Sequence, residues 1–569
     1  MKPWISKKTI LYLLARIRRF YQQNAAAVFC LTLCNGLTVS WSLFHNQQPQ
    51  ALEITFLYLL TLFLGSSLLI RLLQGLPLRR LASFLISLLV LGSLFFCFLE
   101  IFTIYQYKAR IGAGILYALL QTNAKEAQEF IQMYIGLKGG LLLFAAGAIV
   151  SWIYRQRQRW QQQFRSRSSR LLLPLFFLSL CAAVRLPFAY LPLLEGDALD
   201  IPMLRVYGAA RTALSDMEKY QEIASQVNDD IVLKKNDSKI KNIVFILGES
   251  TSRHYMHLYD YPLENTPNFD ALKKNNELAV FTDVISPHSI TTASLKVLFT
   301  FANYESDIPW YQHHTMVDVM KKAGYQTFWL SNQESSGIWG NVAQLFAHRS
   351  DHFAFTSFRD SREEFGTPDE ALFPLLDQAQ TTAGNKNFYV LHLMGGHGAY
   401  YYRYPYSFAK FQPEDIQRKE NDERKLVLAQ YTNALYYNDY IVSSVFDKFR
   451  DKEALVIYLP DHGETVYDDS GLAGHVEENP NRFMLEIPMI VWASPSFKEK
   501  YPEKWAAIRQ AVDRPYMTDD IIHTILDLAD IAPEEFDPTR SVVSPSFNAD
   551  RLRMVQGKNY DTEIRPDKK

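Results

Sequence analysis

Cysteine is scarce: Cys30, Cys34, Cys97 and Cys181 are the full set, and none lies beyond residue 200. The larger, later part of the chain therefore holds no disulfide of its own. All four sit in apolar stretches, where cysteine behaves as a small buried apolar side chain. A charge excess is also missing. The net charge is -1 at pH 7, which supplies no electrostatic footprint for nucleic acid. No internal repeat is evident. The first apolar segment starts late, lacks a small-residue cleavage site and is followed by others, which excludes a cleaved signal peptide.

What is present is a division. The chain has 569 residues, more than one ordinary domain needs. Roughly the first third is apolar and basic, and five segments reach or approach the ~20 residues of a membrane span. They are Ala25 to Phe44, Leu52 to Leu73, Leu81 to Ile104, Tyr134 to Tyr154 and Leu171 to Leu191. Lys2, Lys7, Lys8, Arg16, Arg18 and Arg19 precede the first. Arg79 and Arg80 follow the second, and Arg155, Arg157, Arg159, Arg165 and Arg167 follow the fourth. The loop HNQQPQ after the first carries no Lys or Arg. The positive-inside rule puts the N-terminus in the cytoplasm and, after five crossings, the rest outside. Between the third and fourth segments, residues 115–130 suit an amphipathic helix lying on the membrane, with Thr122 and Glu126 on one face. Glu100 and Arg185, near the outer ends of their segments, read as snorkelling side chains.

Residues 201–238 are polar and suit bridging helices and linker. From residue 239 to 536, short β-branched runs alternate with helical stretches. Candidate strands are Asn242 to Leu247, Val280 to Ile285, Thr327 to Leu330, Phe388 to Leu393, Ala454 to Leu459 and Met489 to Trp492; Thr315 to Ala323 and Leu426 to Phe449 read as helices. This alternation predicts a mostly parallel sheet covered on both faces. The stretch 537–569 is polar and proline-dotted and reads as a poorly ordered tail.

Chemistry gathers where the strands end, the place open α/β sheets keep for ligands. One strand runs into Gly248-Glu249-Ser250. Another carries His392 and leads to Gly395-Gly396-His397-Gly398. A third runs into Pro460-Asp461-His462-Gly463-Glu464, with His475 shortly after. Carboxylates and neutral imidazoles together suit zinc, manganese or a similar divalent ion. Asp461 and His462 are adjacent and reach one ion only at a turn, which Gly463 supplies. A nucleophile is offered by Ser286-Pro287-His288-Ser289-Ile290-Thr291-Thr292-Ala293-Ser294. Such hydroxyls are ordinary helix caps, or one of them contacts the metal and becomes an alkoxide-like nucleophile.

Taken in order, the spans, GESTSRHYMHLYDYPLENTPNFD, the threonine-bearing helix start, LSNQ, HLMGGHGAYYYRYP and LPDHGETVYDD resemble the phosphoethanolamine transferases of the alkaline phosphatase and sulfatase superfamily. The resemblance covers nearly the whole chain. It implies a five-helix transmembrane bundle followed by a sulfatase-like α/β domain in the periplasm of a Gram-negative cell. It implies a metal site of Glu249, Thr291, Asp461 and His462, with one or two zinc ions, or Mn2+ or another divalent ion. Thr291 is the implied nucleophile, with Thr292 as the alternative. His392, His397 and His475 match histidines near the phosphoryl group or a second metal. QTNAKEAQEF resembles the donor-lipid segment, implying Thr122 and Glu126. Ala118 stands where the family has Asn, and Pro287 where the lipid A enzymes have Cys. VLFTFANYE and GYQTFWLSNQ look closer to the branch acting on core sugars.

The activity so implied moves phosphoethanolamine from phosphatidylethanolamine to a lipopolysaccharide acceptor, core heptose or lipid A, through a phosphothreonine-type intermediate, in a monomer. Two other readings stand beside it: a glycerophosphate transferase using phosphatidylglycerol, as in lipoteichoic acid synthesis, and a non-catalytic membrane scaffold or sensor.

Overall fold

A computed structural model describes residues 7–121, 147, 169–195, 199–225, 230–334, 342–357, 367–468 and 471–565. Contacts divide the chain into two units, Met1–Leu116 with Tyr134–Thr212, and Tyr117–Met133 with Ala213–Lys569.

The first unit is helical: α1 (Lys7–His45), α2 (Ala51–Leu73), α3 (Arg79–Tyr107), the start of α4 (Ala113–Gln121), α5 (Ser169–Glu195) and the start of α6 (Pro202–Ser225). Four described stretches are long and apolar enough to cross a membrane: Leu11–His45, Ala51–Leu73, Arg79–Tyr107 and Leu172–Tyr190. Three of them contain an expected segment, and Leu172–Tyr190 covers all but the end residues of Leu171 to Leu191. The fourth expected segment, Tyr134 to Tyr154, lies outside the described residues apart from Gly147, and so do Thr122 and Glu126. Arg185 stays exposed and pairs with Glu53 at 2.6 Å. Glu100 does not snorkel. It is fully buried, accepts a hydrogen bond from Thr38, and lies 3.3 Å from the Nε atoms of both Arg110 and Arg205. An unpaired carboxylate at that depth is costly; the loop after α3 and the start of α6 bring the two guanidinium groups that offset it.

The second unit is built on a seven-stranded sheet. Its strands are β1 (Asn242–Gly248), β2 (Leu278–Phe281), β3 (Gln326–Glu334), β4 (His352–Ser357), β5 (Asn387–His392), β6 (Ala454–Pro460) and β7 (Met489–Ala493), in spatial order β2-β7-β6-β1-β5-β3-β4. Only β7 runs antiparallel to its neighbours. Side chains alternate between faces. In β1, Ile243, Phe245 and Leu247 enter one core, and Val244 and Ile246 the other. With both faces covered, every residue of β1 and β6 is buried, as a central parallel strand requires.

Two expectations change. The run Val280 to Ile285 is broken: Leu278–Phe281 joins the main sheet, while Val284–Ile285 pairs in parallel with Tyr516–Met517. The edge strand His352–Ser357, which the sequence did not suggest, is added. The expected loose tail is packed instead. Val542, Val555 and Tyr560 are buried, Tyr560 donates to Glu486 at 2.7 Å, and Arg553 pairs with Asp283 at 2.9 Å. The polar composition is misleading because Arg553 meets a carboxylate of the domain, with the buried Val542, Val555 and Tyr560 as apolar anchors.

Candidate active site

Register explains why distant residues meet. β1 and β6 are parallel neighbours with Gly248 opposite Pro460, so the chain leaves both strands side by side and delivers Glu249 and Asp461 to one spot. The backbone then turns sharply. Ser250 takes a left-handed φ of 50°. Gly463 is hemmed in: a Cβ there would stand 2.3 Å from the carbonyl oxygen of Phe483, and its N–H donates to Met484 at 2.7 Å. The turn carries His462 to the side of Asp461 that strand alternation would deny it. Thr291 arrives from a third direction, as the first residue of α7 (Thr291–Leu298).

The four groups converge. The Thr291 hydroxyl lies 3.1 Å from Glu249 Oε2 and 3.4 Å from His462 Nε2. His462 Nε2 is 3.4 Å from Glu249 Oε1 and 3.5 Å from Asp461 Oδ2. Glu249, Asp461 and His462 are fully buried, and their ligand atoms fall within 4.8 Å of one another. The second oxygens are spoken for. Ser250 donates to Glu249 Oε1 at 2.7 Å and Gln333 to Oε2 at 3.1 Å, and the His462 N–H donates to Asp461 Oδ1 at 2.8 Å. Asp461 Oδ2 is buried without a hydrogen-bond donor. His462 Nδ1 is 2.8 Å from the Gly463 carbonyl. A carbonyl only accepts, so the proton sits on Nδ1 and the Nε2 lone pair faces the cluster.

Electrostatics point the same way. Burial pushes the Asp461 carboxyl well above the usual carboxylate range, and the charge of Glu249 adds to the push. Burial pulls His462 down to about 3, and His392 and His397 to about 4. Two buried carboxylates beside neutral imidazoles, with one orphaned oxygen, form a donor set that fits a divalent cation.

The remaining histidines divide. His475 lies against His462, ring centres 4.2 Å apart with planes tilted by 53°, and its Nδ1 lies 2.7 Å from Glu464 Oε2. Burial lowers the His475 pKa, but the carboxylates around it, Glu464 foremost and then Glu249 and Glu477, together raise it above the ordinary imidazole value. His462, Glu464 and His475 form a second group with metal-binding spacing. His397 is 6.5 Å from His475, ring to ring, and its Nδ1 is buried without a partner. His392 stands on the sheet itself, within electrostatic reach of Glu249. It ends β5 on the face of Phe388 and Val390, contacts Ser331 at 3.3 Å, and leaves Nε2 unbonded.

Glu464 and Gln333 were not singled out from the sequence. Glu464 is two residues beyond His462 in the same turn, and that spacing was its only signal. Gln333 closes the LSNQ run, where nothing local tells that its amide reaches Glu249. Asp369 also gave no signal, yet it fixes the histidine loop by accepting from the N–H groups of Met394 at 2.8 Å and Gly395 at 3.0 Å.

A threonine hydroxyl at a helix start, set among carboxylates and imidazole at the strand ends of a doubly covered sheet, defines the alkaline phosphatase and sulfatase class. The family model for sulfatases matches residues 241–531, and that for phosphoethanolamine transferases EptA/EptB matches residues 65–190. Phosphoethanolamine transferase EptC of Escherichia coli is 30% identical over 470 residues, 78% of this chain and 79% of that protein. Phosphoethanolamine transferase CptA of Salmonella typhimurium is 28% identical over 482 residues, with the same two shares. The zinc complex of the C-terminal periplasmic domain of E. coli EptC superposes with a TM-score of 0.54 at 31% identity, covering 58% of this chain and 96% of that one. Lipooligosaccharide phosphoethanolamine transferase A from Neisseria meningitidis shares the fold over 91% of this chain and 98% of its own, with a TM-score of 0.67 at 20% identity. The chain belongs to the phosphoethanolamine transferase family.

Proposed function

We propose that this enzyme transfers phosphoethanolamine from phosphatidylethanolamine to a lipopolysaccharide sugar, core heptose or lipid A, in two steps through Thr291. The observation that carries the reading is the Thr291 hydroxyl lying within 3.5 Å of both Glu249 Oε2 and His462 Nε2. The family name supports the transferred group.

In the first step Thr291 Oγ1 attacks phosphorus, a Thr–O–P bond forms, and the bond to the diacylglycerol oxygen breaks. The threonine proton leaves toward a carboxylate oxygen of Glu249. The diacylglycerol oxygen takes a proton from His475, whose pKa the neighbouring carboxylates raise, Glu464 foremost. In the second step an acceptor hydroxyl loses its proton to His475 and bonds to phosphorus, the Thr–O–P bond breaks, and the Thr291 oxygen takes back the proton held on Glu249. Glu249, Thr291, Asp461 and His462 would hold a zinc or other divalent ion, which lowers the pKa of a bound hydroxyl and offsets charge on phosphoryl oxygens. His397 and His392 border the phosphoryl site. Thr122 and Glu126 serve the donor head group. The helices sit in the inner membrane with the N-terminus cytoplasmic and the α/β unit periplasmic, and the enzyme works as a monomer.

The test is mass spectrometry of purified full-length protein supplied with labelled phosphatidylethanolamine or, separately, phosphatidylglycerol. Label from the first alone should appear on Thr291 and vanish in Thr291→Ala, while Thr292→Ala loads normally. Label on Thr292, or from phosphatidylglycerol, would overturn the assignment.

A further inference from the structure

The run Tyr400-Tyr401-Tyr402-Arg403-Tyr404-Pro405-Tyr406 has no part in the chemistry above, yet only Gly398 and Ala399 separate it from His397. Its members divide. Tyr400 turns inward, is 1% exposed, and donates to Glu464 Oε1 at 2.6 Å. Arg403 ties the turn down by donating from Nε to the His397 carbonyl at 2.9 Å. Tyr401, Tyr402, Tyr404 and Tyr406 instead line a cavity of about 570 Å³, with Gln430 of α8 (Asp422–Phe449) in its wall. That volume falls in the ~300–1,000 Å³ range of small-ligand sites.

The cavity belongs to the same framework as the metal cluster. Three of its lining residues are chain neighbours of residues that anchor the cluster's loops. Tyr401 follows Tyr400. Pro368 precedes Asp369, which holds the backbone of Met394 and Gly395. Gln430 precedes Tyr431, whose hydroxyl donates to the Ser250 carbonyl at 2.8 Å. The cavity wall is thus continuous in the chain with residues that support the His397, Glu464 and Ser250 turns.

The lining decides the ligand's chemistry. No Lys, Arg, Asp or Glu lines the cavity among the described residues. Phosphate and carboxylate groups are recognised by cations or helix N-termini, so an anionic head group has no partner here. An acyl chain would want uniformly apolar walls, whereas this cavity offers tyrosine hydroxyls and amides. The Gln430 amide and the Tyr406 hydroxyl have no hydrogen-bond partner among the described residues. Tyr406 is 94% exposed, an aromatic face left bare at the rim of a concave site. Flat aromatic faces for C–H surfaces, with uncharged donors and acceptors for hydroxyls, match a sugar ring.

We propose that this tyrosine-lined cavity is the acceptor site, binding an uncharged sugar ring of the glycan that receives phosphoethanolamine. Resting on the transferase reading, it assigns the cavity to the second step alone.

The experiment uses the full chain in nanodiscs, with a delipidated, dephosphorylated heptose-containing core oligosaccharide as probe. Tyr406→Ala and Gln430→Ala alter an exposed and a half-buried side chain, and thermal unfolding checks that both variants fold. Oligosaccharide affinity, measured by calorimetry, should fall about tenfold in each variant and further in the double variant, while Tyr406→Trp stays within about threefold. Loading of Thr291 from phosphatidylethanolamine should change less than about twofold, whereas the KM for discharge onto the oligosaccharide rises about tenfold. Equal affinity in wild type and double variant would overturn the proposal. So would a loss confined to loading from the bilayer, which would make the surface a membrane contact. If wild type takes no label from phosphatidylethanolamine, the transferase reading falls, while the calorimetry still decides whether the cavity binds sugar.

Discussion

The Thr291 hydroxyl donates to Glu249 Oε2 across 3.1 Å, although 42 residues separate the two in the chain. The contact joins a helix start to a strand end, and no single mobile loop makes it. Glu249 is also pinned by Ser250 and Gln333. Glu249→Gln keeps the shape and removes the charge a cation needs. Metal content by plasma mass spectrometry is expected to drop below half of wild type, and turnover by about 10²–10³-fold. Dialysis of wild type against chelator should reproduce the loss, and zinc should restore it. Full metal with full turnover in Glu249→Gln would remove this carboxylate from the site.

Glu464 sits one layer out, between Tyr400 at 2.6 Å and His475 at 2.7 Å. In the proposed mechanism its part is to position His475 and to raise that histidine's pKa. Groups in that position are typically worth about 10–100-fold in activity. Glu464→Gln is expected to lower kcat by that amount with Thr291 and one metal equivalent intact, and to shift the pH–rate profile, because the histidine loses the anion that raises its pKa. Glu464→Asp should recover part of the rate. A profile unchanged in shape would mean that Glu464 only holds Tyr400 in place.

Much of this was legible before any coordinates. The alternation of β-branched runs with helices reveals a covered parallel sheet, because parallel strands buried on both faces must read as continuous apolar runs. Glu249 and the Asp461-His462 pair stand out because they come just after such runs. What the sequence hides is lateral order. Nothing in Asn242–Gly248 says that Ala454–Pro460 lies beside it, and that adjacency alone sets Glu249 next to Asp461. His352–Ser357 escaped notice because an edge strand is buried less uniformly and carries polar residues. The tail deceived for a related reason: Arg553 and Arg565 look like solvated charges until Asp283 is found between them.

Glu486 gives the tail a measurable role. It is fully buried, and it accepts from Tyr560 at 2.7 Å and from Arg253. Burial pushes its carboxyl up, but the His254 hydrogen bond and the Arg253 charge outweigh this and hold it well below 4.5, the ordinary value. A carboxyl whose folded pKa is depressed stabilises the fold above the unfolded pKa and loses that contribution as pH falls toward the folded one. Wild-type unfolding temperature should therefore drop as pH falls below 4.5, and Glu486→Gln should flatten that drop. At neutral pH the variant leaves Arg253 without its buried partner, at a cost of about 3–5 kcal/mol. A pH slope identical in both proteins would deny Glu486 this role.

Lys296 is the oddity of the nucleophile helix. It lies five residues after Thr291 and is 8% exposed. Its ammonium pairs with Asp216 of α6 and faces the rings of Tyr117, Trp310 and Tyr220 at 4.7, 5.4 and 5.7 Å. Tyr117 completes the set by donating to the same Asp216 oxygen at 2.7 Å. Buried ion pairs contribute little net stability over apolar residues of similar size, and their best-attested use is to fix register. Here the elements registered are α4, α6 and the helix that presents Thr291. Lys296→Met should destabilise by about 1–3 kcal/mol, and Asp216→Asn by a similar amount. If the two act as one latch, the double variant will lose less than the sum, with a coupling of about 0.5–3 kcal/mol in a double-mutant cycle on thermal unfolding. Strict additivity would mean that each side chain stabilises its own helix, and that nothing passes between α6 and the nucleophile through this pair.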